Sequence, residues 1–161
     1  MRVSGLPLAT LAFSKTIAAH AATGDAAGAL DLLKQISDEG LRHNAVTINT
    51  AIRVATDAGE YSAAGVELLA ILSDVRAAGT PPPANAETVA LINEVLSGIG
   101  DANMAGRENF TEADVAHLRG LLGWVESAVI AAEARAAAAA KRALEDAVSY
   151  THLRAHETRH D

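Results

Sequence analysis

Apolar side chains recur along this chain at three- and four-residue intervals, in segments that glycines close and polar residues reopen. That spacing lines one face of an α-helix, whereas a half-buried strand would alternate every second residue. A first helix is expected from about residue 8 to 23, ended by Gly24 in the left-handed conformation that closes many helices. A second starts at Asp25, carries Leu30, Leu33 and Ile36 on one face and stops before Gly40. A third begins near Asn44 and turns at Ala58-Gly59, and a fourth covers residues 61–78 before Gly79. GTPPPAN, residues 79–85, cannot be helical through its three prolines and reads as a stiff extended connector. NAETVALINEVLSGIG then opens a further helix, and GIGDANMAGRENF, residues 98–110, is expected to be a loop with a turn at Gly98-Ile99-Gly100.

A long helix follows over residues 111–148. Thr111 with Asp114 three residues on is a weak capping-box analogue, aspartate replacing the usual glutamate or glutamine. Val115, Leu118, Leu122, Val125 and Val129 form one stripe suited to packing on a neighbour. Beyond Ala131 the stripe thins to alanine, which favours helix strongly but has little to bury, so that segment should face solvent.

The first two helix pairs are copies of each other. At an offset of thirty-five, Ile17 falls on Ile52, Gly24 on Gly59, Ala29 on Ala64, Leu33 on Leu68 and Ile36 on Ile71. Leu11/Val46, Phe13/Ile48 and Asp25/Glu60 agree in character. A period of this size signals stacked helical hairpins that bury their apolar faces against one another. The expected fold is therefore all-α: an α-solenoid of antiparallel helical hairpins over residues 8–97, one long Ala-rich helix, and a disordered tail over residues 149–161. Two and a half repeats are fewer than a solenoid normally needs, so the chain reads as part of a longer array.

Composition narrows the chemistry. Half of the 161 residues are hydrophobic but only 3% are aromatic, so the core must be built from Ala, Leu, Ile and Val. The absence of cysteine removes disulfides, thiolate metal sites and thiol nucleophiles. A net charge of −7 is the opposite of the basic excess usual in proteins that grip phosphates. No run of eighteen uninterrupted apolar residues occurs, which argues against a membrane partner. The opening MRVSGLPLATLAFSK is too short and too quickly helical for a clear signal or transit peptide.

One motif is set aside. His156-Glu157-Thr158-Arg159-His160 is a literal HExxH, the pattern in which two histidines hold zinc beside a general-base glutamate. It ends one residue before the last one, with no third ligand after it and no apolar face to bury it. SYTHLRAHETRHD moreover resembles a peptide that arises when adapter or vector sequence is read through in frame, so no metal site, no cofactor and no enzymatic activity is expected.

The repeats resemble the pentatricopeptide repeat family. An opening of the type V-T-Y-N-x-L-I stands as Val46-Thr47-Ile48-Asn49-Thr50-Ala51-Ile52, and degenerately as Leu11-Ala12-Phe13-Ser14-Lys15-Thr16-Ile17. The mid-repeat pattern stands as Thr23-Gly24 through Ala29-Leu30, Leu32-Leu33 and Ile36, and the ending as Gly40-Leu41-Arg42-His43-Asn44. The similarity covers residues 10–97, with an insertion near Gly79.

That resemblance implies single-stranded RNA binding in a mitochondrion or chloroplast, with a few side chains of each first helix reading one base. Carried over by position, the reading residues are Ser14 with Asn44, and Asn49 with a residue near Asn85; Lys15 and Arg53 could meet phosphates. An amide offers both donor and acceptor to a base edge. Plainer roles exist for each: Asn44 sits where a helix cap is wanted, and Ser14 and Asn49 could bond between helices. The alternative function is a protein-interaction scaffold of generic helical repeats, which the acidic charge favours.

Overall fold

The computed structural model describes residues 6–103 and 110–157. The described residues form six helices and no strand: α1 (Leu6–Thr23), α2 (Ala26–Asp38), α3 (Ala45–Asp57), α4 (Tyr61–Ala77), α5 (Ala86–Asn103) and α6 (Glu112–Glu157). The expectation of an all-helical, repeat-like chain is met, with boundaries close to those read from the glycine punctuation.

Four glycines make the turns. Gly24, Gly40, Gly59 and Gly79 have φ between +68° and +76°, a region that costs other residues roughly 1–2 kcal/mol. Each is followed by the same closure, in which the next residue's N–H reaches back five residues. Asp25 bonds the His20 carbonyl at 2.9 Å, Leu41 that of Ile36 at 3.0 Å, Glu60 that of Ala55 at 2.8 Å and Thr80 that of Val75 at 3.3 Å. These satisfy carbonyls that the helix ends would otherwise leave open.

Helices also start alike. Asn44 accepts from Thr47 N–H at 2.8 Å and closes a capping box with it. Asn85 does the same for Thr88 at 3.1 Å. α4 has 17 residues against 13 in α2, and its connector to α5 is also longer, so the second repeat outruns the first without changing its plan.

Each helix from α1 to α5 packs on its chain neighbour, and α1 with α3, α3 with α5 and α2 with α4 also touch. First helices therefore form one row and second helices another. Between the rows lie Ile17, Leu33, Ile36, Ile48, Ile52, Leu68 and Leu72, all essentially without solvent contact. All five residues conserved in the thirty-five-residue offset are accounted for by this arrangement. Ile17, Ile52, Ala29, Ala64, Leu33, Leu68, Ile36 and Ile71 are buried, and the glycine pair makes the turn.

Two expectations are corrected. Residues 98–103 belong to α5, not to a loop, and Gly98-Ile99-Gly100 is helix, not a turn. Gly98 is there for space: a Cβ on it would fall 2.3 Å from Cδ1 of Tyr61, at the start of α4. Ile99 beside it is buried. Residues 104–109, the rest of the expected loop, lie outside the described residues. The second correction concerns the tail, where α6 continues as helix through residues 149–157. The alanine-rich run before it has high helix propensity, and Thr151 donates to the Ala147 carbonyl within the helix at 2.9 Å. The HExxH motif reaches beyond the described side chains.

Contacts divide the chain into two units, Met1–Glu126 and Ser127–Asp161. In the first, Thr111 and Asp114 cap α6 reciprocally, with Thr111 N–H on Asp114 at 2.9 Å and Asp114 N–H on the Thr111 hydroxyl at 3.2 Å. The buried stripe there is Leu118, Leu121 and Val125, while Val115 and Leu122 are half-buried. The stripe is thus centred on Leu121, which the spacing argument omitted. Arg76 of α4 stacks over Trp124, 5.6 Å from the ring centroid. In the second unit every side chain from 131 to 155 is exposed, as expected of the alanine-rich segment. By length and composition alone, α6 contains a stretch long and apolar enough to cross a membrane.

Candidate nucleic-acid interface

The row of first helices carries a groove of about 350 Å³ between α1, α3 and the start of α5. Three of the six residues singled out in the sequence line it: Asn49, Arg53 and Asn85. Helical spacing puts Asn49 and Arg53 one turn apart on α3. Asn85 arrives at the same place because the connector ends there in the α5 cap.

Asn49 and Asn85 are bonded directly, Asn49 Nδ2 donating to Asn85 Oδ1 at 3.0 Å. Asn49 Nδ2 also donates to Glu87 Oε2 at 3.5 Å, and Asn49 Oδ1 accepts from the Thr88 hydroxyl at 2.7 Å. That hydroxyl in turn accepts from the Asn85 N–H at 3.0 Å. Both ends of the Asn49 amide are used, which a polar group only 4% exposed requires. The network ties α3 to the first turn of α5. Asn85 itself is exposed, with its oxygen occupied by Asn49 and by the Thr88 N–H.

Arg53 is spoken for as well. Its Nη2 donates to Glu87 Oε1, and the two side chains stay about half exposed. The hydrogen bond it donates to Glu87 holds the guanidinium pKa above its ordinary value. Asp57 also lines the groove. Two carboxylates thus face one guanidinium, and while Glu87 is paired with it the local field disfavours a phosphate.

The first-copy residues behave differently. Ser14 is half-buried and turns its hydroxyl to the Thr10 carbonyl of its own helix at 2.9 Å. Asn44 caps α3, the plainer role weighed for it. Lys15 is exposed on α1. None of these three lines the groove. Elsewhere on the helices, His20 bonds Asp25 at 2.9 Å and His117 is exposed. Asp25 accepts from the Gly28 N–H, and that bond, with His20 beside it, holds its carboxyl below the usual range.

Sequence reasoning missed Glu87 and Thr88. Asn44-Ala45-x-Thr47 recurs as Asn85-Ala86-x-Thr88, a signal hidden by the change of period in the second repeat. The Glu87 contacts to Arg53 and Asn49 span 34 and 38 residues and had no local trace. No family model, no curated protein and no solved structure matches the chain.

Proposed function

We propose that the chain is a single-stranded RNA-binding module, part of a longer pentatricopeptide-type solenoid acting as an adaptor in mitochondrial or chloroplast RNA processing. It is a binding module and not an enzyme. The observation that carries the reading is the Asn49–Asn85 pair: Asn49, whose partner the family resemblance places near Asn85, meets Asn85 itself at 3.0 Å on a groove in the row of first helices. Asn49 has both ends of its amide bonded within the protein and serves to orient its partner. Asn85 is the reader. With its oxygen fixed by Asn49 and Thr88, its Nδ2 end is left to donate to a base acceptor. Lys15 supplies a phosphate contact, and among the described residues no carboxylate lies within bonding distance of it.

Asn85→Asp tests this directly. A carboxylate keeps the oxygen that caps α5 and accepts from Asn49, but exchanges the outward donor for an acceptor. The base preferred in a panel of single-stranded oligonucleotides should change, on top of a uniform loss from the added negative charge. An unchanged preference overturns the reading. With Arg53 paired to Glu87 and Lys15 the other named cation, the salt dependence of wild-type binding should be shallow, near a slope of about −0.7 for each phosphate neutralised.

A second reading, a scaffold that binds protein and no nucleic acid, is favoured by Asp57 and Glu87 in the groove and by the net charge of −7. Absence of any single-stranded RNA binding at low salt, in a chain carrying the neighbouring repeats, decides for the scaffold.

A further inference from the structure

Glu87 holds two groups at once. One carboxylate oxygen accepts from Arg53 Nη2 and the other from Asn49 Nδ2 at 3.5 Å. A guanidinium beside an amide donor is a donor set suited to a phosphate as well as to a carboxylate. Glu87 is not required to start α5, since Asn85 and Thr88 already form the cap. The corresponding position of the preceding repeat, two residues after Asn44, is Val46, which is 66% exposed. The fold therefore tolerates an apolar residue there and does not need the charge.

We propose that Arg53 and Asn49 form a phosphate subsite which the Glu87 carboxylate occupies as an internal competitor. A phosphate oxygen binds there only by displacing Glu87, and removing that carboxylate opens the subsite. The inference rests on the RNA reading for the source of the phosphate, a nucleotide backbone, but not for the existence of the subsite. The pair is exposed enough for exchange, because a surface ion pair gains little over its solvated partners.

Nitrogen-15 NMR of the full chain, titrated with inorganic phosphate, follows the Asn49 side-chain amide and the Arg53 Nε signal. Glu87→Gln and Glu87→Ala should show saturable shifts of both signals at concentrations at least about tenfold lower than wild type. Adding Arg53→Gln to Glu87→Ala should abolish them. Thermal melts identify a purely structural role for Glu87, which would lower stability without creating phosphate binding. Equal titration in wild type and both variants, or no saturable shift in any of them, overturns the inference. So does an equal response to acetate, which would make the subsite a carboxylate site. A single-stranded oligonucleotide separates the two claims. If the variants bind phosphate but no RNA, the RNA reading falls while the subsite stands. If wild type binds RNA and the variants bind it no more tightly and respond to phosphate no better, the subsite falls alone.

Discussion

Asn49 shows how a residue chosen for one reason can do another. The repeat pattern offers it to a base, yet it is 4% exposed and spends its amide on Asn85, Thr88 and Glu87. Leaving buried polar partners unsatisfied costs about 1–3 kcal/mol. Asn49→Ala should lower stability by about that amount in urea unfolding, before any effect on RNA is read, which is why Asn85→Asp is the cleaner selectivity variant. Glu67 is a second case at this scale. Burial on α4 raises its pKa above the ordinary glutamate value, with Lys34 opposing and Asp31 and Asp38 reinforcing the shift. A raised folded-state pKa contributes stability below the unfolded-state pKa and loses it as pH rises through the folded one. Ionised Glu67 is therefore a cost at neutral pH. Glu67→Gln should be the more stable protein at pH 7, by up to about 1 kcal/mol, with the difference vanishing below about pH 4. A gap that persists at low pH would assign the effect to packing instead.

At the scale of the helices, the punctuation was legible because it is local. Gly24, Gly40, Gly59 and Gly79 each need a positive φ, and each stands in the sequence directly after an apolar-periodic run. Asn44 announced its own cap. Gly98 was not legible, because the same residue type serves a contact with a helix 37 positions earlier in the chain. A glycine read alone does not say whether it turns the chain or admits a neighbour. The two uses predict different mutants. Gly98→Ala keeps a favourable helical backbone but places a methyl against the Tyr61 ring, so it should destabilise by about 1–3 kcal/mol through overpacking. Pairing it with Tyr61→Ala should recover part of that loss. A Gly98→Ala protein as stable as wild type would mean that Tyr61 moves aside freely. Gly59→Ala, with nothing within 4 Å of its Cβ, should cost only its backbone strain, about 1–2 kcal/mol, and no partner substitution should relieve it.

For the whole molecule, the repeat arithmetic and the site arithmetic diverge. The offset of thirty-five matches first helix to first helix and second to second, but the groove is completed where the period changes, and one of its two carboxylates, Glu87, comes from there. Residues 149–155 bring none of this: they are exposed and helical, and none of them is among the groove's lining residues. Their helix follows from the alanine-rich run before them and needs no tertiary contact, since a long run of strong helix formers sustains helix by local bonds. Deleting residues 149–161 should therefore leave the cooperative melt of the repeats within about 0.5 kcal/mol of the full chain, while helical circular dichroism falls by the share of residues removed. If HExxH were a working metal site, zinc would raise the melting temperature of the full chain, and His156→Ala would cancel the rise. A deletion that lowers the main melt by several degrees would make the last residues part of the working protein, and a zinc effect that His156→Ala removes would revive the zinc-site reading of HExxH.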